Sequence, residues 1–292
     1  MADTDVLRAR LAHSPAVLVQ VDGVRGSAPR EVGAWMAVFR DGCLGSIGGG
    51  QLEHQAVQQA LDMLQQPGSE AGADTVPVAR RHVALGPSLG QCCGGAVDLR
   101  FESVGPGDVA ALSARLSTRR WPVALFGAGH VGAALCRLMP DLPLALHWFD
   151  SRDAVFPDPL PAAVQAEQSD PPEGAVPGLP AGARVLIMTH SHAQDLALVA
   201  ACLDRQRQRG DLPWIGLIGS QTKWATFRRR LLARGYREAE LDRVCCPIGV
   251  PGVVGKQPAV IAVAVAAQLL QTLPGGILAP CAGSLPGSEP TG

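Results

Sequence analysis

Four short segments of this 292-residue chain combine residue types that bind anions, metals or protons. The first, Gly127-Ala128-Gly129-His130-Val131-Gly132, follows an apolar run and opens a helical pattern, and Asp150 lies 21 residues beyond Gly129. Glycines in this arrangement let a pyrophosphate approach the backbone, and the acid can accept a hydrogen bond from a ribose hydroxyl. The segment predicts a nucleotide site at Gly127, Gly129, Gly132 and Asp150. The structural alternative is that the glycines only let a strand and a helix pack together.

The second segment is a run of three glycines, Gly48, Gly49 and Gly50, that leads into a predicted helix with Glu53 in its first turn. Consecutive N–H groups in such a turn can bind an anion. Arg25 and Arg30, in the loop before it, carry guanidinium groups suited to phosphate. These residues predict an anion site. The alternative is a tight turn with solvated arginines, in which Glu53 only counters the helix dipole or faces water.

The third segment is a cysteine pair, Cys92 and Cys93, followed by Gly94 and Gly95. Adjacent cysteines lack the C-x-x-C spacing of a zinc site. Thiols in a glycine-rich loop can nevertheless contact a soft metal centre or carry sulfur. Cys92 and Cys93 are therefore candidate metal contacts, or else two small buried residues. A second pair, Cys245-Cys246, has the weaker case.

The fourth segment places His190, Ser191, His192 and Asp195 directly after a predicted buried strand. The H-x-H-x-x-D spacing is close to that of metal ligands and also suits acid–base chemistry. The same residues are typical of a helix N-terminus that is capped by Ser191 or His192, with Asp195 in the first turn. His190 and His192 are candidate binding residues because α/β proteins bind ligands at this edge of the sheet.

The elements that must position these segments predict an α/β protein. Residues 1–104 alternate strands with one long helical pattern and predict a mixed α+β domain. Residues 105–120 predict a helical link, and residues 121–275 alternate strand and helix as in a Rossmann-like parallel sheet. Residues 276–292 have a composition typical of disorder.

Two further segments of the second half have their own patterns. Residues 154–182 contain seven prolines and predict a long surface loop with a short strand near residues 163–166. Residues 258–272 predict the last helix, although their alternating Val and Ile also suit a strand. Their Ala- and Val-rich composition favours a homodimer through this segment.

Composition excludes several classes of protein. The net charge of −1 and the pI near 6.6 argue against a binder of nucleic acid or of anionic membranes. The longest apolar run is far shorter than the ~20 residues that span a bilayer. The acidic, amphipathic N-terminus is unlike a secretory signal, and eight cysteines are too sparse for a disulfide scaffold. These features predict a cytoplasmic protein with reduced cysteines.

Together the motifs resemble the XdhC family, the accessory proteins of xanthine dehydrogenase and related molybdenum hydroxylases. The matching blocks run in the family's order over about residues 16–272 and read GSAPREVGAWMAV, GSIGGGQLE, LGPSLGQCCGG, LFGAGHVG, FDSRDAVFP, MTHSHAQD, WIGLIGSQTKWATF and PIGVPGVVGKQPAVIAVAVAAQLL. The sequence departs from the family pattern at Ser191 and Gln257, where an acid is common.

The resemblance implies a molybdenum-cofactor chaperone without turnover of its own. Such a protein binds a molybdopterin-type cofactor, protects it while the sulfido ligand is installed, and delivers it to apo-xanthine dehydrogenase. A cysteine-desulfurase-like sulfurase is the second implied partner. Two alternatives stay open: an NAD(P)-dependent oxidoreductase that uses His190 or His192 for acid–base chemistry, and an assembly factor that binds no cofactor.

Overall fold

The computed structural model describes residues 3–65, 78–85, 94–116, 120–161 and 163–276. The chain divides into two compact units, Met1–Thr118 and Arg119–Gly292. Among the described residues, no helix has both the length and the apolar character needed to cross a bilayer.

The first unit is built on one antiparallel sheet. Its elements, in chain order, are α1 (Asp3–Leu11), β1 (Ala16–Arg25), β2 (Trp35–Phe39), β3 (Gly42–Gly45), α2 (Gly50–Gln65), β4 (Val78–Ala84), β5 (Ala96–Val104), a 3₁₀ turn (Pro106–Asp108) and α3 (Val109–Leu116). The strands lie in the order β3-β2-β1-β5-β4. The antiparallel pairing agrees with the mixed α+β character predicted for this part of the chain.

The central strand β1 is apolar on both sides because helices cover both faces of the sheet. Side chains alternate between the two faces of a strand. Val17 and Val19 pack with one side of α2, whereas Leu18 packs with Leu11 of α1 and Leu112 of α3. Helix α3, which lies in the predicted link 105–120, is thus part of the core of the first unit.

The second unit is a six-stranded parallel sheet with helices on both faces. Its elements are β6 (Trp121–Phe126), α4 (His130–Leu138), a 3₁₀ turn (Met139–Asp141), β7 (Leu144–Asp150), β8 (Val164–Gln168), a 3₁₀ turn (Pro172–Gly178), β9 (Arg184–Ile187), α5 (His192–Arg209), β10 (Trp214–Leu217), α6 (Gln221–Ala233), α7 (Glu238–Leu241), β11 (Val244–Cys245) and α8 (Pro258–Gln271). The strand order is β11-β10-β9-β6-β7-β8. This is the strand order of dinucleotide-binding folds, in which strands are added first to one side of β6 (β7 and β8) and then to its other side (β9, β10 and β11). The predicted Rossmann-like fold is confirmed.

Strand β6 explains how the two faces are filled. Its residues Val123 and Leu125 pack with α4 and α8, while Ala124 and Phe126 pack with α5 and α6. A strand covered on both faces needs a continuous apolar run, which is what the sequence supplies before Gly127.

The proline-rich stretch 154–182 is more ordered than the predicted surface loop. It contains β8, at the place predicted for a short strand, and a 3₁₀ turn that contributes Val176 to the core. Arg205 of α5, which is 4% exposed, donates to the carbonyl of Val176 at 2.7 Å and pairs with Asp211 at 2.8 Å. The buried guanidinium of Arg205 therefore fixes the 3₁₀ turn of this stretch against α5.

The apolar residues of α8 are largely used within the second unit. Ala262, Val265 and Leu269 are buried against α4 and the sheet, and Val263 is a large exposed residue of this helix, at 56%. The apolar composition of α8 thus has an intramolecular explanation, and the homodimer stays a prediction.

Candidate functional site

The glycines of the predicted nucleotide site divide into two kinds. Gly127 has φ +115°, and a Cβ there would overlap the carbonyl oxygen of Met188. A Cβ on Gly132 would lie 2.6 Å from the carbonyl oxygen of Gly127. These two positions require glycine for packing. Gly129, in contrast, has no atom within 4 Å of where its Cβ would stand, so it faces the open side of the loop.

Asp150 has its carboxylate directed at the protein's own donors. One oxygen accepts from the N–H of Ala128 at 2.6 Å and from Arg152 Nη2 at 3.0 Å; the other accepts from the N–H and Nε of Arg152, both at 2.9 Å. Burial favours the neutral acid, but the hydrogen bonds from Arg152 and Ala128 outweigh it and lower the pKa of Asp150 to about 2. The acceptor sites predicted to meet a ribose are therefore already occupied.

The two histidines lie at the start of α5, on the carboxyl edge of the sheet. Ser191 caps the helix by accepting from the N–H of Gln194 at 3.5 Å. His192 is exposed and meets the ring of Phe227 edge-on, with 6.4 Å between centroids, and His190 is exposed as well. Across the described ranges, no three His, Cys, Asp or Glu side chains gather to hold a metal ion. The geometry here is that of the predicted helix cap.

Asp195 is fully buried and forms an ion pair that the sequence patterns did not reveal. One carboxylate oxygen accepts from the N–H and hydroxyl of Thr189, at 3.0 and 2.8 Å. The other accepts from Lys223 Nζ at 2.6 Å, and Lys223 also donates to the carbonyl of Ile218 at 2.7 Å. This pair joins the loop after β9 to the turn after β10. The one sequence feature that could have indicated this pair was Lys223, a lysine that follows the buried strand β10.

Cys246 lies close to this pair. Burial raises the pKa of its thiol to about 11, with Lys223 opposing the shift and Asp195 adding to it. A thiol is a nucleophile only when it is ionised. Cys246 is buried in the core cluster beneath α5 and α6, and its raised pKa disfavours the nucleophilic thiolate.

The glycine turn of the first unit is closed by its own helix. Glu53 accepts from the N–H of Gly49 at 2.7 Å and from the hydroxyl of Ser46 at 2.9 Å, and the Ser46 hydroxyl accepts from the N–H of Gly48 at 3.1 Å. Gly50 is the first residue of α2. Two of the N–H groups predicted to bind an anion thus bind protein oxygens, and Glu53 acts in the manner of a capping box.

Three of the predicted loops of the first unit come together. A Cβ at Gly48 would overlap Pro29, and one at Gly95 would overlap the carbonyl oxygen of Ser27. Arg30 donates to the carbonyl of Ser46 at 3.4 Å and pairs with Glu31 at 3.1 Å. The loops 25–30, 46–50 and 94–95 are therefore neighbours.

Arg25, Cys92 and Cys93 are the remaining candidate residues of the first unit. Arg25 is exposed at the end of β1, and no carboxylate of the described residues pairs with it. Cys92 and Cys93, the candidate metal contacts, lie outside the described residues.

Two family models match the chain. One describes the XdhC Rossmann domain and matches residues 123–269, and the other describes the XdhC and CoxI family and matches residues 9–75. The chain belongs to the XdhC family. The resemblance inferred from the sequence motifs is thereby confirmed.

Two relatives place this XdhC chain among known proteins. It is 26% identical to the uncharacterized protein YqeB of Escherichia coli K12 over 94% of its own length, but it spans only 47% of the length of that relative. A crystal structure described as a xanthine dehydrogenase of Bacillus halodurans superposes with a TM-score of 0.71 at 19% identity, covering 93% of this chain and 96% of that one. The second likeness shows a common fold.

Proposed function

We propose that this chain is a molybdenum-cofactor chaperone in the maturation of xanthine dehydrogenase. Membership of the XdhC family suggests a role in that maturation. The observation that carries the finer proposal is the convergence of the loops 25–30, 46–50 and 94–95 in the first unit. Loops that converge can present several polar groups to one ligand, and a protein that only holds and hands over a cofactor needs no catalytic triad.

The residues of this cluster fit the phosphate end of a molybdopterin-type cofactor. Arg25 offers an exposed guanidinium without a carboxylate partner in the described part of the first unit. Gly49 leaves space, since no atom lies within 4 Å of where its Cβ would stand. The N–H groups of Gly48 and Gly49 are engaged, so Arg25 is the stronger candidate to bind phosphate.

The metal end of the cofactor and the two partner proteins form the rest of the proposal. When bound, the cofactor supplies a soft metal–dithiolene centre, for which the thiols of Cys92 and Cys93 are suited. We propose that these thiols protect the centre during sulfuration. Apo-xanthine dehydrogenase would receive the cofactor, and a cysteine-desulfurase-like sulfurase would supply the sulfur, with all three proteins in the cytoplasm.

Cofactor retention tests this proposal. Equilibrium ultrafiltration with released molybdenum cofactor should show stoichiometric retention by the wild type, and Arg25→Ala should weaken binding about tenfold. Arg8→Ala, which removes an exposed arginine from α1, is the matched control and should bind like the wild type. Retention no better than that of an unrelated protein would refute the chaperone function.

A nucleotide in the Rossmann half is the second proposed activity. It is favoured by the open side of the loop at Gly129. This loop lies between β6 and β9, where the order of the strands in the sheet reverses. We propose binding without turnover, because the exposed histidines do not form an acid–base pair with the buried Asp195. Isothermal titration with adenine nucleotides tests the site, and hydride transfer with NAD(P)H would instead establish the oxidoreductase alternative.

A further inference from the structure

The end of β7 presents hydrogen-bond donors to its surroundings. Ser151 Oγ accepts from Gln194 Nε2 at 2.9 Å, which leaves the hydroxyl hydrogen of Ser151 free to donate. Arg152 is 44% exposed. It directs Nε and one N–H of Nη2 at Asp150, so three of its five donors have no partner among the described residues. Each oxygen of the Asp150 carboxylate already accepts two hydrogen bonds.

In dinucleotide-binding folds, the end of the second strand faces the ribose next to adenine. An acid there accepts from the 2′-hydroxyl, whereas an arginine nearby accommodates a 2′-phosphate. A ribose hydroxyl can accept a hydrogen bond from Ser151 or Arg152, but it carries no charge. A phosphate is an acceptor and carries negative charge, so it matches both residues.

We propose that the Rossmann half selects adenine nucleotides with a phosphate on the 2′ position of this ribose, and that Arg152 and Ser151 are the residues that select it. The inference rests on the proposed nucleotide site. It assigns Asp150 a positioning role: the carboxylate holds the Arg152 guanidinium at the end of β7 through two parallel hydrogen bonds.

The charge of Asp150 does not oppose this assignment. Its side chain is only 2% exposed, and the N–H of Ala128 and the guanidinium of Arg152 cover both oxygens. A phosphate that approaches from solvent therefore meets the outer N–H groups of Arg152 before it meets the carboxylate. Burial behind a cation shields the approaching anion from the negative charge.

Competing probes of known chemistry test the proposal. Adenosine 2′,5′-bisphosphate and 5′-AMP differ only in the 2′-phosphate, and we expect the wild-type chain to bind the former at least about tenfold more tightly in isothermal titration. Arg152→Met should abolish the preference, and Arg152→Lys should retain part of it. Arg229→Met, on exposed surface of α6, is the control for general loss of charge and should leave the preference unchanged.

A second variant keeps the test informative if Arg152→Met misfolds, since that substitution leaves Asp150 without its ion-pair partner. Ser151→Ala keeps the ion pair intact and should reduce the preference about threefold. Equal or tighter binding of 5′-AMP by the wild type overturns the inference, as does a full preference in folded Arg152→Met. If neither probe binds, the nucleotide site itself is refuted, while the retention of molybdenum cofactor by the first unit is judged by its own experiment.

Discussion

Each unit carries a glycine-rich turn before a helix, and in both an acid binds the N–H of a turn residue. In the first unit, Glu53 meets the N–H of Gly49 at 2.7 Å; in the second, Asp150 meets that of Ala128 at 2.6 Å. The origin of the acid differs. Glu53 comes from the first turn of the same helix, whereas Asp150 comes from the next strand and brings Arg152 with it.

An acid near a glycine turn is therefore weak evidence for a ligand contact. In both turns the carboxylate satisfies backbone donors that a strand-to-helix connection would otherwise leave unpaired. A ligand contact then has to be sought among the groups that stay unused. These are Arg25 in the first unit and Ser151 with Arg152 in the second.

The largest expected difference between the two turns concerns the glycines. Gly127→Ala should lower the free energy of unfolding by about 3 kcal/mol or more, because the methyl group would overlap the Met188 carbonyl at a positive φ. Gly49→Ala meets no atom and suffers only from its φ of +74°, so about 1 kcal/mol is expected. Urea unfolding of both variants measures the difference. Equal losses would mean that the two turns are constrained alike.

An intermediate effect is expected from the pH dependence of Asp150. Its pKa is about 2 in the folded protein and 3.8 ordinarily. A lowered pKa stabilises the folded state above pH 4, and this contribution of about 2 kcal/mol is lost as the pH falls toward 2. The stability difference between wild type and Asp150→Asn should therefore shrink between pH 5 and pH 2.5 in urea titrations. A difference between the two proteins that stays constant over this pH range would contradict the prediction.

The smallest effect is expected at the local cap of the first unit. Glu53→Ala removes the acceptor for Gly49 and should cost about 1 kcal/mol. Glu53→Gln keeps a carbonyl oxygen in the same place and should retain most of the stability. Thermal unfolding of the two variants is sufficient to compare them. A loss as large as that of Gly127→Ala would mean that Glu53 supports more than a cap.

The sequence alone was enough for those features that depend on near neighbours along the chain. The continuous apolar run before Gly127, the helix after it and Asp150 at the end of the next strand predicted the Rossmann-like unit, and the structure confirms that fold. The place of Glu53 in the first turn of α2 was foreseen together with a dipole role, but its hydrogen bond to the N–H of Gly49 was not. A contact that spans four residues is encoded in the local pattern, because the geometry of a helix start is always the same.

Only the tertiary structure decided which side chains meet at the ends of the strands. The sequence offered Asp195 as a residue of a helix cap, and nothing in its spacing pointed to Lys223, which lies two elements later along the chain. Asp150 was expected to accept a hydrogen bond from a ribose hydroxyl, and in the structure its carboxylate binds Arg152. These partnerships depend on the strand order β10-β9-β6-β7, which brings together residues far apart in sequence. Periodicity reports which face a residue occupies, but the sheet's order and crossovers determine its neighbours.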